Sequence, residues 1–89
     1  MESAKYLIIY SKKTKKQLEK LSNPILRIIK KSISSKLTKS PLEFGKELSN
    51  NFKGYRRLRV GNYRVIYRVD GQKVIVYIVE VDHRKNIYK

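Results

Sequence analysis

The sequence predicts an α+β chain of order β-α-α-β-β-β, with an N-terminal helical hairpin packed on a largely antiparallel four-stranded sheet. Three observations carry that expectation. Between Lys12 and Lys39 the apolar residues recur every three to four positions, the period of helices with one face down. From Tyr55 onward the period drops to two, as in strands. Two turn signals, Gly61-Asn62 and Asp70-Gly71, divide that second stretch into three strands.

The first strand is Tyr6-Leu7-Ile8-Ile9-Tyr10. Its unbroken apolar and aromatic run predicts a strand covered on both faces. Ser11 follows as a helix cap, its hydroxyl oxygen able to accept a free backbone N–H. The first helix places Thr14, Leu18 and Leu21 on one stripe and Lys12, Lys13, Lys15, Lys16 and Lys20 on the rest. Ser22-Asn23-Pro24 breaks the pattern. Asn23 is a good cap, and Pro24 suits the first helical position, where its missing N–H costs nothing. The second helix aligns Leu26, Ile29, Ile33 and Leu37, with Ile25 and Ile28 widening the stripe. So short a break between two amphipathic helices predicts an antiparallel hairpin. Lys39-Ser40-Pro41 ends it. Residues 40–54 read as a loop with one helical turn near Leu42 to Glu47.

The remaining strands are Tyr55 to Val60, Tyr63 to Val69 and Lys73 to Val81. Alternation sorts their side chains onto two faces. Leu58 and Val60 oppose Arg57 and Arg59; Tyr63, Val65, Tyr67 and Val69 oppose Arg64, Ile66 and Arg68. A buried unpaired guanidinium is very costly, so the apolar sets belong under the helices. The Arg sets then line an open cationic face.

At 89 residues the chain is read as one small domain, residues 1–89. The hydrophobic share of 40% is too high for a disordered tail. No apolar run is long enough to span a membrane or to serve as a signal peptide, and Cys is absent, so a cytoplasmic chain is the expectation. The net charge of +15 points to a polyanionic partner, foremost nucleic acid, since such an excess repels itself in a compact fold.

The chemistry on offer is narrow. Glu2, Glu19, Glu43, Glu47, Asp70, Glu80 and Asp82 are scattered, and His83 is the only His, which falls short of a metal site. Without Cys or a second His, neither a thiol nucleophile nor a two-histidine ribonuclease mechanism is available. Metal-free RNA cleavage remains open, because the 2′-hydroxyl nucleophile lies in the substrate. The protein need only orient it and stabilise the charge gained by the phosphate. Guanidinium groups do this well but cannot act as the base. His83, a Lys or Tyr88 must carry protons. Plainer roles stand beside these. Arg64 can pair with Glu80 or Asp82 across the sheet. Tyr63, Tyr67 and Tyr77 can be strand packing, and the helix lysines a solvated face.

The segment Tyr55-Arg56-Arg57-Leu58-Arg59-Val60-Gly61-Asn62-Tyr63-Arg64-Val65-Ile66-Tyr67, followed by a strand and then Asp82-His83-Arg84-Lys85-Asn86-Ile87-Tyr88, resembles RelE-type toxins. These belong to the RelE/ParE superfamily of bacterial and archaeal toxin–antitoxin modules. The family pattern is an R-x-G-x-Y-R-v-x-Y hairpin and a C-terminal H-R-x-x-x-Y, and the order of elements agrees over nearly the whole chain. The resemblance implies an endoribonuclease, an mRNA interferase that enters the ribosomal A site and cuts mRNA by 2′-hydroxyl attack without a metal or other cofactor. Arg64 would stabilise the phosphate in the transition state, Arg84 would act similarly or on the leaving-group side, and Tyr88 would stack on or orient the nucleotide. Arg57, Arg59 and Lys85 would bind the RNA. Arg57 and Arg59 stand where well-known members carry Lys, which brings His83 or Lys85 forward as proton carrier. The implied partners are a cognate antitoxin with an acidic amphipathic segment, the ribosome and mRNA, with no membrane and no small-molecule cofactor. Two other readings share the fold: a ParE-like inhibitor of DNA gyrase, and a non-catalytic RNA-binding protein.

Overall fold

The computed structural model describes residues 5–49 and 52–83. Strand β1 (Leu7–Tyr10) leads into helices α1 (Lys12–Glu19) and α2 (Asn23–Ser32), the latter running on as a wider π turn over Ile33–Leu37. A short helix α3 (Pro41–Phe44) and a two-residue strand β2 (Lys46–Glu47) precede the meander β3 (Arg56–Val60), β4 (Tyr63–Asp70) and β5 (Ile75–His83). The architecture is α+β, as the sequence predicts. Among the described residues the sheet has five strands rather than four, in the order β1-β5-β4-β3-β2. The additional strand is β2, which pairs antiparallel with β3 through Lys46–Arg57 and Glu47–Arg56. All pairs are antiparallel except β1 with β5.

Periodicity explains most of the core. Leu18, Ile29, Ile33, Leu37, Leu58, Val60, Val65, Tyr67, Val76, Ile78 and Val81 form one buried cluster between the helices and the sheet. The π turn keeps Ile33 and Leu37 fully buried at its two ends. Ile28, expected to widen the stripe, is 58% exposed, because it lies about 100° round the helix from the line Ile29–Ile33.

Strand β1 corrects the expectation of a strand covered on both faces. It is an edge strand in which Leu7 and Ile9 are exposed and Ile8 and Tyr10 half-buried. It pairs with only the first half of β5, ending at Tyr10–Ile78. Beyond that point α1 takes over the edge. Ser11 caps α1, accepting from the Thr14 N–H at 3.0 Å, while the buried Thr14 hydroxyl donates to the Ile78 carbonyl at 3.0 Å. Gln17 then stands in for a strand, its Oε1 accepting the Val81 N–H at 2.7 Å. Backbone groups on this edge that would otherwise lie buried and unpaired are thereby satisfied. The cap of α2 is Ser22, one residue before the Asn23 expected, with Asn23 and Pro24 in the first turn.

The start of the segment 40–54, from Pro41 to Gly45, is held against β3 and β4 by side-chain hydrogen bonds. The Tyr67 hydroxyl donates to the Pro41 carbonyl at 2.5 Å, and the Arg56 guanidinium donates to the carbonyls of Leu42 and Gly45 at 2.8 and 2.6 Å. Burial pushes the Tyr67 phenol above its ordinary pKa, against the opposing pull of Arg56 and the Gly45 backbone. The Asp70-Gly71 signal gives a longer connection than a two-residue turn: β5 begins only at Ile75. The Asp70 carboxylate accepts from the Lys73 N–H, and Val74 takes φ 58°, turning its carbonyl to accept from the Leu7 N–H at 2.9 Å. Pairing to β1 thus holds a β-branched residue in a region it rarely adopts.

Candidate nucleic-acid interface

The sheet has one face under the helices and one face without them. On the open face the register builds two rows across β3, β4 and β5. One runs Arg59–Arg64–Asp82 and the next Arg57–Ile66–Glu80. Arg57, Arg59, Arg64 and Arg68 therefore share a face, as alternation predicts, with Leu58, Val60 and Val65 buried on the other and Arg56 turned with them toward Tyr67. One row further along, the Arg68 guanidinium lies over the Tyr77 ring, 4.5 Å from its centroid.

The electrostatics of this grid are lopsided. Arg59 and Arg64 are direct cross-strand partners, a like-charge placement that opposes folding. Arg57 is the diagonal neighbour of Arg64, about 7–8 Å away for such pairs. Arg57 and Arg64 each hold a buried Nε with no hydrogen-bond partner among the described residues. Their stems pack on the sheet while the guanidinium donors want acceptors. Glu80, one of the two plain partners considered for Arg64, instead forms an ion pair with Lys13 of α1 at 2.9 Å. Asp82 is the register partner of Arg64.

The other anticipated residues fall in different places. His83 closes β5 opposite Tyr63, and the two rings meet edge to face with centroids 5.0 Å apart. Tyr63 alternates with Arg64, so His83 lies toward the helix side of the strand end and not within the arginine grid. Tyr67 is core, whereas Tyr77 belongs to the open face. Arg84, Lys85 and Tyr88 lie outside the described residues. Among the described residues no group of three His, Cys, Asp or Glu is placed to hold a metal. Nor is any of their helices long and apolar enough to cross a membrane.

The structure adds residues that strand alternation did not single out. β5 carries a bulge, with Ile66 opposite Glu80 but Tyr67 opposite Ile78, so Val79 and Glu80 both face the open side. Beside them Phe52 and Tyr55, from the segment before β3, complete a small pocket floored by Ile66. Ile66, expected on an open face, is only 3% exposed for this reason. The one advance signal was the two-residue step from Tyr55 to Arg57. Nothing local marks Phe52.

A small α+β chain of this strand order, with a clustered arginine surface on the free side of an antiparallel meander, has the RelE-like fold. Residues 8–88 match the family described as the ParE toxin of the type II toxin–antitoxin system parDE. The chain is 33% identical over 84 residues to the toxin RelG of Mycobacterium tuberculosis (strain ATCC 25618 / H37Rv), covering 94% of this chain and 97% of RelG. It superposes on a chain of the RelBE2 toxin–antitoxin complex of Mycobacterium tuberculosis with a TM-score of 0.87 and 31% identity, covering 93% and 95% of the two chains. The isolated RelE toxin of E. coli shares the fold with a TM-score of 0.73 and 21% identity, over 88% and 83%. The chain belongs to the RelE/ParE superfamily and is a toxin of the type II toxin–antitoxin class.

Proposed function

We propose that this chain is a ribosome-dependent mRNA endonuclease that cleaves by metal-free 2′-hydroxyl attack, held in check by a cognate antitoxin. The observation that carries the reading is the Arg57–Arg59–Arg64 cluster. Three guanidinium groups on one open face repel each other in the free protein, and an RNA phosphate turns that repulsion into binding. Arg64, central in the row, is assigned to stabilise the phosphate as it gains charge. Arg57 and Arg59 hold the neighbouring backbone. From the family pattern, Arg84 is assigned to the same charge stabilisation or to the leaving-group side, Tyr88 to nucleotide orientation, and Lys85 to RNA binding. His83, at the end of β5, is the assigned proton carrier, reaching the substrate around the strand end. The whole of residues 1–89 acts as one domain in the cytoplasm. The complexes among its structural relatives support the antitoxin, and the +15 charge suits an acidic wrapping segment.

A second reading is favoured by one observation, the ParE description of the matching family: a gyrase-inhibiting toxin without nuclease activity. Induction of the chain followed by primer extension on a translated mRNA separates the two. Cuts at fixed codon positions support the nuclease. DNA-damage signalling without cuts supports the gyrase inhibitor, and the absence of both leaves an RNA-binding protein of the same fold.

A further inference from the structure

The pocket formed by Phe52, Tyr55, Ile66, Val79 and Glu80 shares Ile66 and Glu80 with the second row of the arginine grid and extends beyond it. Its volume is about 280 Å³, at the small end of ligand clefts. Two of its walls are aromatic, its floor is the buried Ile66, and a single carboxylate stands at its edge. Phe52 is 50% exposed, so a large apolar ring is presented to solvent beside a strongly cationic surface. Glu80 lies in the same row as Arg57 and one row from Arg64. From sheet spacings, Arg64 and Glu80 are about 8 Å apart at the backbone, so a nucleotide gripped at its phosphate by Arg64 can set its base in this pocket.

We propose that this pocket binds one nucleobase of the RNA and selects guanine through Glu80. The inference rests on the reading of the arginine face as an RNA surface. Stacking on Phe52 or Tyr55 is indifferent to base identity, since every base has a π-face. The carboxylate is not indifferent. An ionised carboxylate only accepts hydrogen bonds, and it accepts two side by side. Guanine alone offers two adjacent donors on its Watson–Crick edge, N1–H and the N2 amino group. Adenine and cytosine each set a donor beside a ring-nitrogen acceptor, and uracil flanks its single donor with two carbonyl oxygens, so each turns a lone pair toward the carboxylate. The ion pair from Lys13 to Glu80 Oε1 holds the carboxylate at the pocket edge and leaves Oε2 and a further lone pair of Oε1 for the base. The β-bulge is what makes this geometry: it turns Val79 and Glu80 to the same side, so that wall and recognition group arise from consecutive residues.

The test is equilibrium binding of the full chain, at fixed salt, to 2′-O-methyl pentanucleotides of uridine with G, A, C or U at the centre. Methylation removes the attacking hydroxyl, so binding is read without cleavage. The G-centred oligonucleotide is expected to bind about tenfold or more tightly than the others, the scale of one bidentate base contact. Glu80→Gln should abolish that preference. Lys13→Gln, which removes the ion pair but keeps the carboxylate, should retain it. Phe52→Ala should weaken all the oligonucleotides by about tenfold alike, as expected for a lost stacking platform. Equal affinity of the wild-type chain for every centre, or a G preference that survives Glu80→Gln, overturns the proposal. Primer extension reports separately on the nuclease. Codon-positioned cuts with no base preference in binding sink the pocket alone; a Glu80-dependent preference without cuts sinks the nuclease alone.

Discussion

Replacing Gly45 by Ala would place a Cβ 1.8 Å from the Tyr67 hydroxyl oxygen, 2.6 Å from Cζ and 2.8 Å from Cε1. None of these atoms can yield cheaply. Tyr67 is fully buried, belongs to the core cluster, and its hydroxyl donates to the Pro41 carbonyl. Gly45 itself is held in place by the Arg56 guanidinium on its carbonyl. Either the ring leaves its hydrogen bond or the loop lifts off β3 and β4. Overpacking of this kind costs about 1–3 kcal/mol. A buried hydroxyl without a partner adds about 1–3 kcal/mol. The sum of about 2–6 kcal/mol is a large part of the roughly 4–13 kcal/mol that a chain of this size has to lose. Urea unfolding followed by far-UV circular dichroism should show the midpoint falling by about 2 M or more, taking a slope near 1 kcal/mol per molar. A double-mutant cycle sharpens the cause. Tyr67→Phe removes the atom in closest conflict, so Gly45→Ala should cost at least about 1 kcal/mol less in the Tyr67→Phe background than in the wild type. A midpoint within about 0.3 M of wild type for Gly45→Ala, or full additivity of the two changes, would refute the reasoning.

Arg64→Ala and Arg84→Ala should each relieve growth arrest and reduce codon-positioned cleavage by about 10²–10³, the usual weight of a transition-state charge stabiliser, while a pull-down still recovers the antitoxin. Full toxicity in both variants would remove these residues from the mechanism. Replacing Lys16, on the far side of α1, should alter only the salt dependence of RNA affinity. Gln17→Leu should cost about 1–3 kcal/mol in urea unfolding, because it strips the Val81 N–H of its acceptor, whereas Lys13→Ala, on an exposed pair, should cost less than about 1 kcal/mol. The raised pKa of Tyr67 has a definite sign. Its contribution is fully present while the phenol is neutral in both folded and unfolded chains. Above about pH 10 the unfolded chain sheds the proton first, so stability falls as pH rises through the folded value. Urea midpoints measured from about pH 8 to 11 should show that decline, and Tyr67→Phe should flatten it apart from the share due to Tyr10, whose pKa burial also raises.

The period-two alternation from Leu58 to Arg68 was enough to say that the arginines share a face, because side-chain direction on a strand is a local property. The stripe Leu26–Ile29–Ile33–Leu37 identified the second helix for the same reason. Charge counting led to the expectation of a polyanionic partner, and the motif around Arg64 named the superfamily. Other features depend on pairing between residues distant in the chain. That β1 is an edge strand follows from its parallel register with β5, ending at Ile78; its apolar run looked like that of a central strand. Gly45 matters because Tyr67, on a distant strand, fills the space where its Cβ would be. Gln17 gains its role only because the edge of β5 runs out of strand partners at Val81. The bulge at Val79 leaves no mark in composition, yet it turns Glu80 toward Phe52 and Tyr55 and separates His83 from the arginine face. Local chemistry writes a strand's two faces into its spacing. The register that decides which residues meet is settled by the packing of the whole sheet against its helices.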